Sequence, residues 1–151
     1  MESLVKAIIL SMLPISELRG GIPLALSSGV NIFIAFVLCV LANIIIIPFV
    51  FLFFDILHKY FLKIKIYRKV FNFYIERNRK KLEKHVGTKW EFFFIYALTA
   101  IPFPLTGAYS STILSWFFGL KRKKAFLAIS LGVITAGIIV TLVSVGFLSL
   151  I

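Results

Sequence analysis

Acidic side chains are scarce in this sequence: six Asp and Glu stand against 17 Lys and Arg, for a formal net charge of +11. Charged residues of both signs amount to 15%, where a soluble domain carries about a quarter, and they fall in blocks instead of covering a surface. Cysteine occurs once, at Cys39 inside an apolar run, so an intrachain disulfide is excluded and the residue reads as a small packing side chain. The two histidines, His58 and His85, have no carboxylate or cysteine at metal-ligand spacing and read as surface or interfacial residues. A glycine-rich nucleotide loop is missing, as is any nucleophile with a base nearby. Catalytic residues, metals and cofactors are therefore not expected.

What is abundant is apolar surface. Hydrophobic residues make up 60% of the 151, with 17 Phe, and the mean hydropathy is +1.02. That exceeds what one soluble core of this length buries, so a bilayer must supply the rest. The basic clusters would suggest nucleic acid in a soluble protein. Here they lie between apolar segments, a placement that fits the positive-inside rule and attraction to anionic lipid of the inner leaflet. A secretory signal is a poor fit to the first segment, although Ala25-Leu26-Ser27 resembles a cleavage site, because Pro14, Glu17 and Arg19 interrupt its apolar region.

Charge-free runs extend over Gly20 to Phe54, Phe92 to Leu120 and Ala125 to Ile151, each long enough to cross about 30 Å of hydrocarbon as a helix. The segments 30–57 and 125–151 read as continuous spanning helices, with Pro48 causing at most a kink. Two other stretches are broken near their middles: 1–28, where Pro14, Gly20, Gly21 and Pro23 interrupt helix around Glu17 and Arg19, and 92–119, interrupted by Pro102, Pro104 and Gly107. Such pairs of interrupted hydrophobic segments at corresponding places in two halves mark inverted-repeat transporters.

Fifteen of the 17 basic residues lie in two blocks, eleven from Lys59 to Lys89 and four in Lys121 to Lys124. If 92–119 crossed the membrane, the blocks would face opposite sides. A re-entrant hairpin keeps both cytoplasmic. The expected fold is thus an all-α membrane protein, an inverted repeat of re-entrant hairpin plus transmembrane helix, in the plasma membrane, multi-pass, with both termini outside. The segment 58–91 places Phe61, Ile64, Tyr67, Phe71, Tyr74 and Ile75 at helical spacing among basic residues and reads as a cytoplasmic amphipathic helix on anionic lipid. Trp90, Trp116 and Tyr60 suit interfacial anchoring. Small residues at four-residue spacing (Ala35, Cys39, Asn43; Ala128, Gly132, Ala136) favour close packing of the spanning helices.

The richest site candidate is Pro14-Ile15-Ser16-Glu17-Leu18-Arg19-Gly20-Gly21-Ile22-Pro23, because ionisable groups inside an apolar segment cost roughly 2.5 to 3.5 kcal/mol each on insertion scales and are retained mostly for function. Desolvation disfavours a charged Glu17 and a nearby Arg19 favours it, so its protonation responds to conformation, as a proton-coupling group requires. Arg19 offers a rigid fork of donors for an anion. The alternative is a mutual ion pair that merely neutralises both. Backbone N–H groups at Gly20, Gly21 and Gly107 and hydroxyls at Thr106, Tyr109, Ser110 and Ser111 are expected to line the facing half of the pocket or, equally, to cap broken helix ends.

At PISELRGGIPLAL from Pro14 and AIPFPLTGAYSSTIL from Ala100 the chain resembles the prokaryotic small multi-drug export protein family, over nearly its whole length. The family is similar in layout to DedA-like membrane proteins, whose opposed re-entrant hairpins carry acidic and arginine residues implicated in proton-coupled handling of lipid-linked phosphates. In this sequence 92–119 carries neither carboxylate nor arginine. The resemblance implies a small transporter or exporter; the alternatives are an isoprenoid-phosphate translocase and a structural or assembly protein. A homodimer is expected, since a chain this short needs a second copy to enclose a pathway.

Overall fold

The computed structural model describes residues 2–66, 68–69, 72–73, 89–102 and 106–150. Among these, six helices of ten or more residues follow one another without a strand: α1 (Glu2–Met12), α2 (Glu17–Ser27), α3 (Ile32–Phe61), α4 (Lys89–Ala100), α5 (Ala108–Phe117) and α6 (Arg122–Leu148). The order short, short, long therefore occurs twice.

The two long helices run 30 and 27 residues, about 45 and 40 Å at 1.5 Å per residue, more than a bilayer core requires. Their most apolar 18-residue windows have mean hydropathies of 2.9 and 2.5. Asn31 starts α3 by accepting the Phe33 N–H at 2.9 Å, and Pro48 is absorbed inside the helix. Both helices are displaced from the bounds expected of them, 30–57 and 125–151. α3 continues past Leu57 to Phe61, and α6 takes Arg122, Lys123 and Lys124 into its first turn, since straight-chain lysine and arginine are good helix formers. Of the amphipathic segment 58–91, the first residues thus prolong α3 and Lys89–Glu91 open α4. Tyr67, Phe71, Tyr74, Ile75 and His85 lie outside the described residues.

The connection from each second short helix to its long helix is built the same way. Gly29, at φ 77°, and Gly119, at φ 68°, end α2 and α5 in the left-handed region that glycine enters without a Cβ penalty. Val30 N–H then reaches Ala25 O at 3.1 Å and Leu120 N–H reaches Ser115 O at 3.0 Å, the six-to-one bond of a Schellman cap. The interval from Gly29 to Gly119 equals that from Ile32 to Arg122, so the two halves keep register from cap to helix start.

The first break is shorter than the composition suggests. Only 13–16 leave the helix, at Pro14, whose ring cannot donate, and Ser16 Oγ donates to Leu10 O at 2.6 Å across the gap. Gly20, Gly21 and Pro23 do not interrupt anything; all three lie inside α2. Gly20 N–H is spent on Ser16 O at 3.1 Å, and the two glycines serve packing instead. A Cβ on Gly21 would stand 1.8 Å from Ser11 Oγ and 2.6 Å from Ala7 O, so α1 and α2 touch backbone to backbone there. Pro23 leaves the Arg19 carbonyl without its intrahelical donor but does not end the helix.

Lipid is as apolar as leucine, so helix association in a bilayer relies on close packing and hydrogen bonds rather than hydrophobic burial. The small-residue stripes provide the close approach. Asn43, buried in α3, donates from Nδ2 to Ser11 O in α1 at 3.0 Å, while a Cβ on Gly132 of α6 would lie 2.5 Å from Thr99 Cβ in α4. Each stripe receives the first short helix of its own half. The long helices meet at Gly137, where a Cβ would lie 2.8 Å from Val40. Side chains such as Phe33, Phe49, Phe53, Leu142 and Val143 point outward and are exposed, as a lipid-facing surface requires.

Candidate functional site

Glu17 and Arg19 stand at the first turn of α2, and both reach the second break. Ser16 Oγ and the Leu13 carbonyl, which accepts the Glu17 N–H at 3.0 Å, fix the helix start so tightly that Glu17 takes φ 44°. A left-handed glutamate costs about 1 to 3 kcal/mol, which surrounding contacts must offset. They are supplied by the other hairpin. Glu17 is 8% exposed, and its Oε1 accepts the Tyr109 N–H at 3.3 Å at the start of α5. An anion at a helix N-terminus is stabilised by about 0.3 to 1 kcal/mol at the surface and up to about 2 when partly buried. The carboxylate therefore caps a helix belonging to the other half of the chain.

Gly107 is what lets it come so close. A Cβ there would lie 2.0 Å from Glu17 Oε2, and φ 145° with ψ −163° is a conformation that only glycine adopts readily. Arg19 Nη2 donates to Thr106 O at 2.7 Å, a charge-assisted bond to the same short stretch. The exchange is reciprocal, because Tyr109 Oη donates to Met12 O at the end of α1. No ion pair within 4.0 Å joins Glu17 to Arg19 among the described residues; each charge is held by the backbone of the opposite break.

A small cavity of about 10 Å³ lies at this junction, walled by Glu17, Leu18, Arg19, Asn43, Thr99 and Thr106–Gly107, with Pro102 and residues of α6 closing it. That is space for one water-sized particle. Arg19 and Pro102 also border a larger, more open space of about 260 Å³, together with Pro23, Ile139, Val140, Val143 and Ser144. Arg19 thus borders both the small cavity and the larger apolar vestibule.

Of the residues singled out from sequence, Glu17, Arg19, Pro102, Thr106 and Gly107 line the cavity, Pro23 lines the vestibule, and Tyr109 bridges the two breaks. Ser110 is half-buried in the first turn of α5 and borders neither space. Ser111 is buried and accepts from the Thr99 hydroxyl at 2.7 Å. Gly20 and Gly21 act in helix packing, and Pro104 lies outside the described residues. Sequence reasoning took Asn43 for a packing residue and passed over Thr99 and Asp55. The signal for Asn43 was present: it is the one amide inside the long apolar helix that follows Asn31.

Asp55 builds a second polar knot farther along α3. Its Oδ1 accepts the Trp116 indole N–H at 2.9 Å and its Oδ2 accepts Arg122 Nη2 at 2.6 Å, tying α3, α5 and α6. Trp116 also packs on Phe54 and edge-on to His58, with centroids 5.6 and 5.3 Å apart. The indole expected as an interfacial anchor is therefore fixed within the helix bundle.

Two helices long and apolar enough to cross a bilayer, with charged groups gathered between broken short helices, describe a helical membrane protein. The chain belongs to the family described as "Putative small multi-drug export protein", whose model matches residues 17–139, from Glu17 itself to the middle of α6. No curated protein and no solved structure matches the chain.

Proposed function

We propose that this chain is a small secondary transporter that exports solutes, with Glu17 as its proton-coupling group. In this reading the site lies between two re-entrant hairpins, α1–α2 and α4–α5, of an inverted repeat, with α3 and α6 spanning and both termini outside. The observation that carries it is the reciprocal docking of the breaks. Glu17 and Arg19 are held by the backbone at Thr106 to Tyr109, so any change in the charge of Glu17 alters the contact between the two halves. Discontinuous helices meeting at mid-depth are how transporters bind substrates and coupling ions. The equal intervals between the two caps and the two long-helix starts support the repeat. Ile15, 95% exposed beside Pro14, supports a homodimer, because irregular backbone at mid-depth needs cover from protein or water.

In proteoliposomes, Glu17→Gln is expected to abolish substrate movement driven by a pH gradient while the folded protein persists. Undiminished pH-driven transport would refute the coupling role.

A second reading, a lipid-phosphate carrier, is favoured by the vestibule, which sets Arg19 beside the apolar walls Ile139, Val140 and Val143. There Arg19→Ala is expected to remove binding of an isoprenoid phosphate, and retained binding excludes it.

A further inference from the structure

α3 and α6 touch at Val40 and Gly137. About 12 to 18 Å farther along α3, at 1.5 Å per residue, a groove of about 470 Å³ opens between the same two helices, walled by Pro48, Phe51 and Leu52 on one side and by Arg122, Lys123 and Phe126 on the other. Pro48, Leu52 and Asp55 follow at spacings of four and three and share one face of α3, while Arg122 and Phe126, four apart, share one face of α6. The groove is therefore graded along its length, with cations at the end of the bundle and apolar side chains deeper in. Asp55 fixes the charged end. Its bond from Arg122 takes one of five guanidinium N–H donors, and the Arg122 side chain stays 64% exposed. Lys123 is exposed beside it, and α6 has no acid in its first turn. One carboxylate against two cations leaves positive charge at the mouth of an apolar groove.

A groove on the flank of a membrane protein is filled by lipid, and the groups at its mouth select which one. A free phosphate would leave the apolar walls bare. A zwitterionic headgroup would bring its own cation to a cationic mouth. We infer that this groove seats one anionic phospholipid, with an acyl chain against Pro48, Phe51, Leu52 and Phe126 and the phosphate on Arg122 and Lys123. Basic pockets between spanning helices at a membrane surface bind anionic headgroups in this way. The seat differs from a diffuse attraction of the basic blocks to the bilayer, because one position and two named cations carry it. The bound lipid ties α3 to α6 beyond their contact at Gly137, and the site is independent of the transport reading.

The test counts bound lipid. Purified full-length protein in detergent micelles is titrated with phosphatidylglycerol or with phosphatidylcholine of the same chains, and native mass spectrometry resolves each lipid retained. The first phosphatidylglycerol is expected to bind about tenfold or more tighter than the second and than phosphatidylcholine. Glycerol 1-phosphate, the headgroup without chains, is expected not to bind over the same range. Lys123→Gln is expected to weaken the first site about fivefold and Arg122→Gln with Lys123→Gln about tenfold or more, whereas Lys59→Gln with Lys63→Gln, outside the groove at the end of α3 and just beyond it, leaves it within about twofold. If the Arg122 variant does not fold, Lys123→Gln decides, because it leaves the Arg122–Asp55 bond intact. Equal binding of the two lipids overturns the proposal, and so does glycerol 1-phosphate binding as tightly as the lipid. An equal loss in the Lys59 and Lys63 variant shows diffuse attraction and overturns it too. A lipid-free dimer that persists as phosphatidylglycerol is added puts a second copy in the groove, with the same consequence.

Discussion

The first hairpin supplies side chains and the second supplies backbone. α2 opens with Glu17 and Arg19, whereas α5 opens after Gly107, the residue at the corresponding interval from its cap, and offers N–H and C=O groups at Thr106 to Tyr109. An ionised carboxylate needs donors, a guanidinium needs acceptors, and a broken helix exposes both. The absence of charge at the second break is therefore the complement of its presence at the first. Two charged breaks would leave the charges to find each other, while one of each kind joins the halves through bonds from charged side chains to backbone.

The comparison breaks hardest at Gly107. Gly107→Ala meets a forbidden backbone conformation and a carboxylate 2.0 Å away together, so a loss of about 3 kcal/mol or more is expected, seen as a collapsed monodisperse peak in size-exclusion chromatography. Next comes Arg19→Lys, which keeps the charge but not the planar fork. A weakened bond to Thr106 O costs about 1 to 2 kcal/mol, and thermal unfolding measures it. Tyr109→Phe removes the donor to Met12 O; a loss of about 1 kcal/mol is expected in thermal unfolding, with the proposed pH-driven transport kept because Glu17 is still held by the Tyr109 N–H. The smallest effect sharpens the symmetry: Gly29→Ala and Gly119→Ala face open space and differ from glycine only in φ, so each is expected to cost about 1 kcal/mol, and equally. Unequal costs would show that the two connections are not equivalent.

Much of the architecture was legible in the sequence because a bilayer imposes simple rules. Long charge-free runs gave α3 and α6, and prolines gave the breaks near Pro14 and Pro102. Glu17 and Arg19 stood out because charge inside an apolar segment is costly. Less legible were Gly20, Gly21 and Pro23, which look like breakers but sit inside α2, since a glycine tolerated for close packing and one required for a turn have the same letter. Asp55 was hidden for a similar reason. A lone acid beside aromatic residues at a helix end reads as solvated until Trp116 and Arg122 arrive from elsewhere in the chain.

The sequence by itself determined the solvent, the spanning lengths and which residues carry charge, because these follow from local composition and the cost of hydrocarbon. Only the tertiary structure decided what the charges meet. Glu17 could have paired with Arg19 two residues away, but the start of α2 turns each toward a different atom of the opposite break, and Gly107 removes the side chain that would have kept them out. Which groups share the cavity with Asn43 was likewise settled by packing between distant segments, a relation that spacing along one helix does not encode.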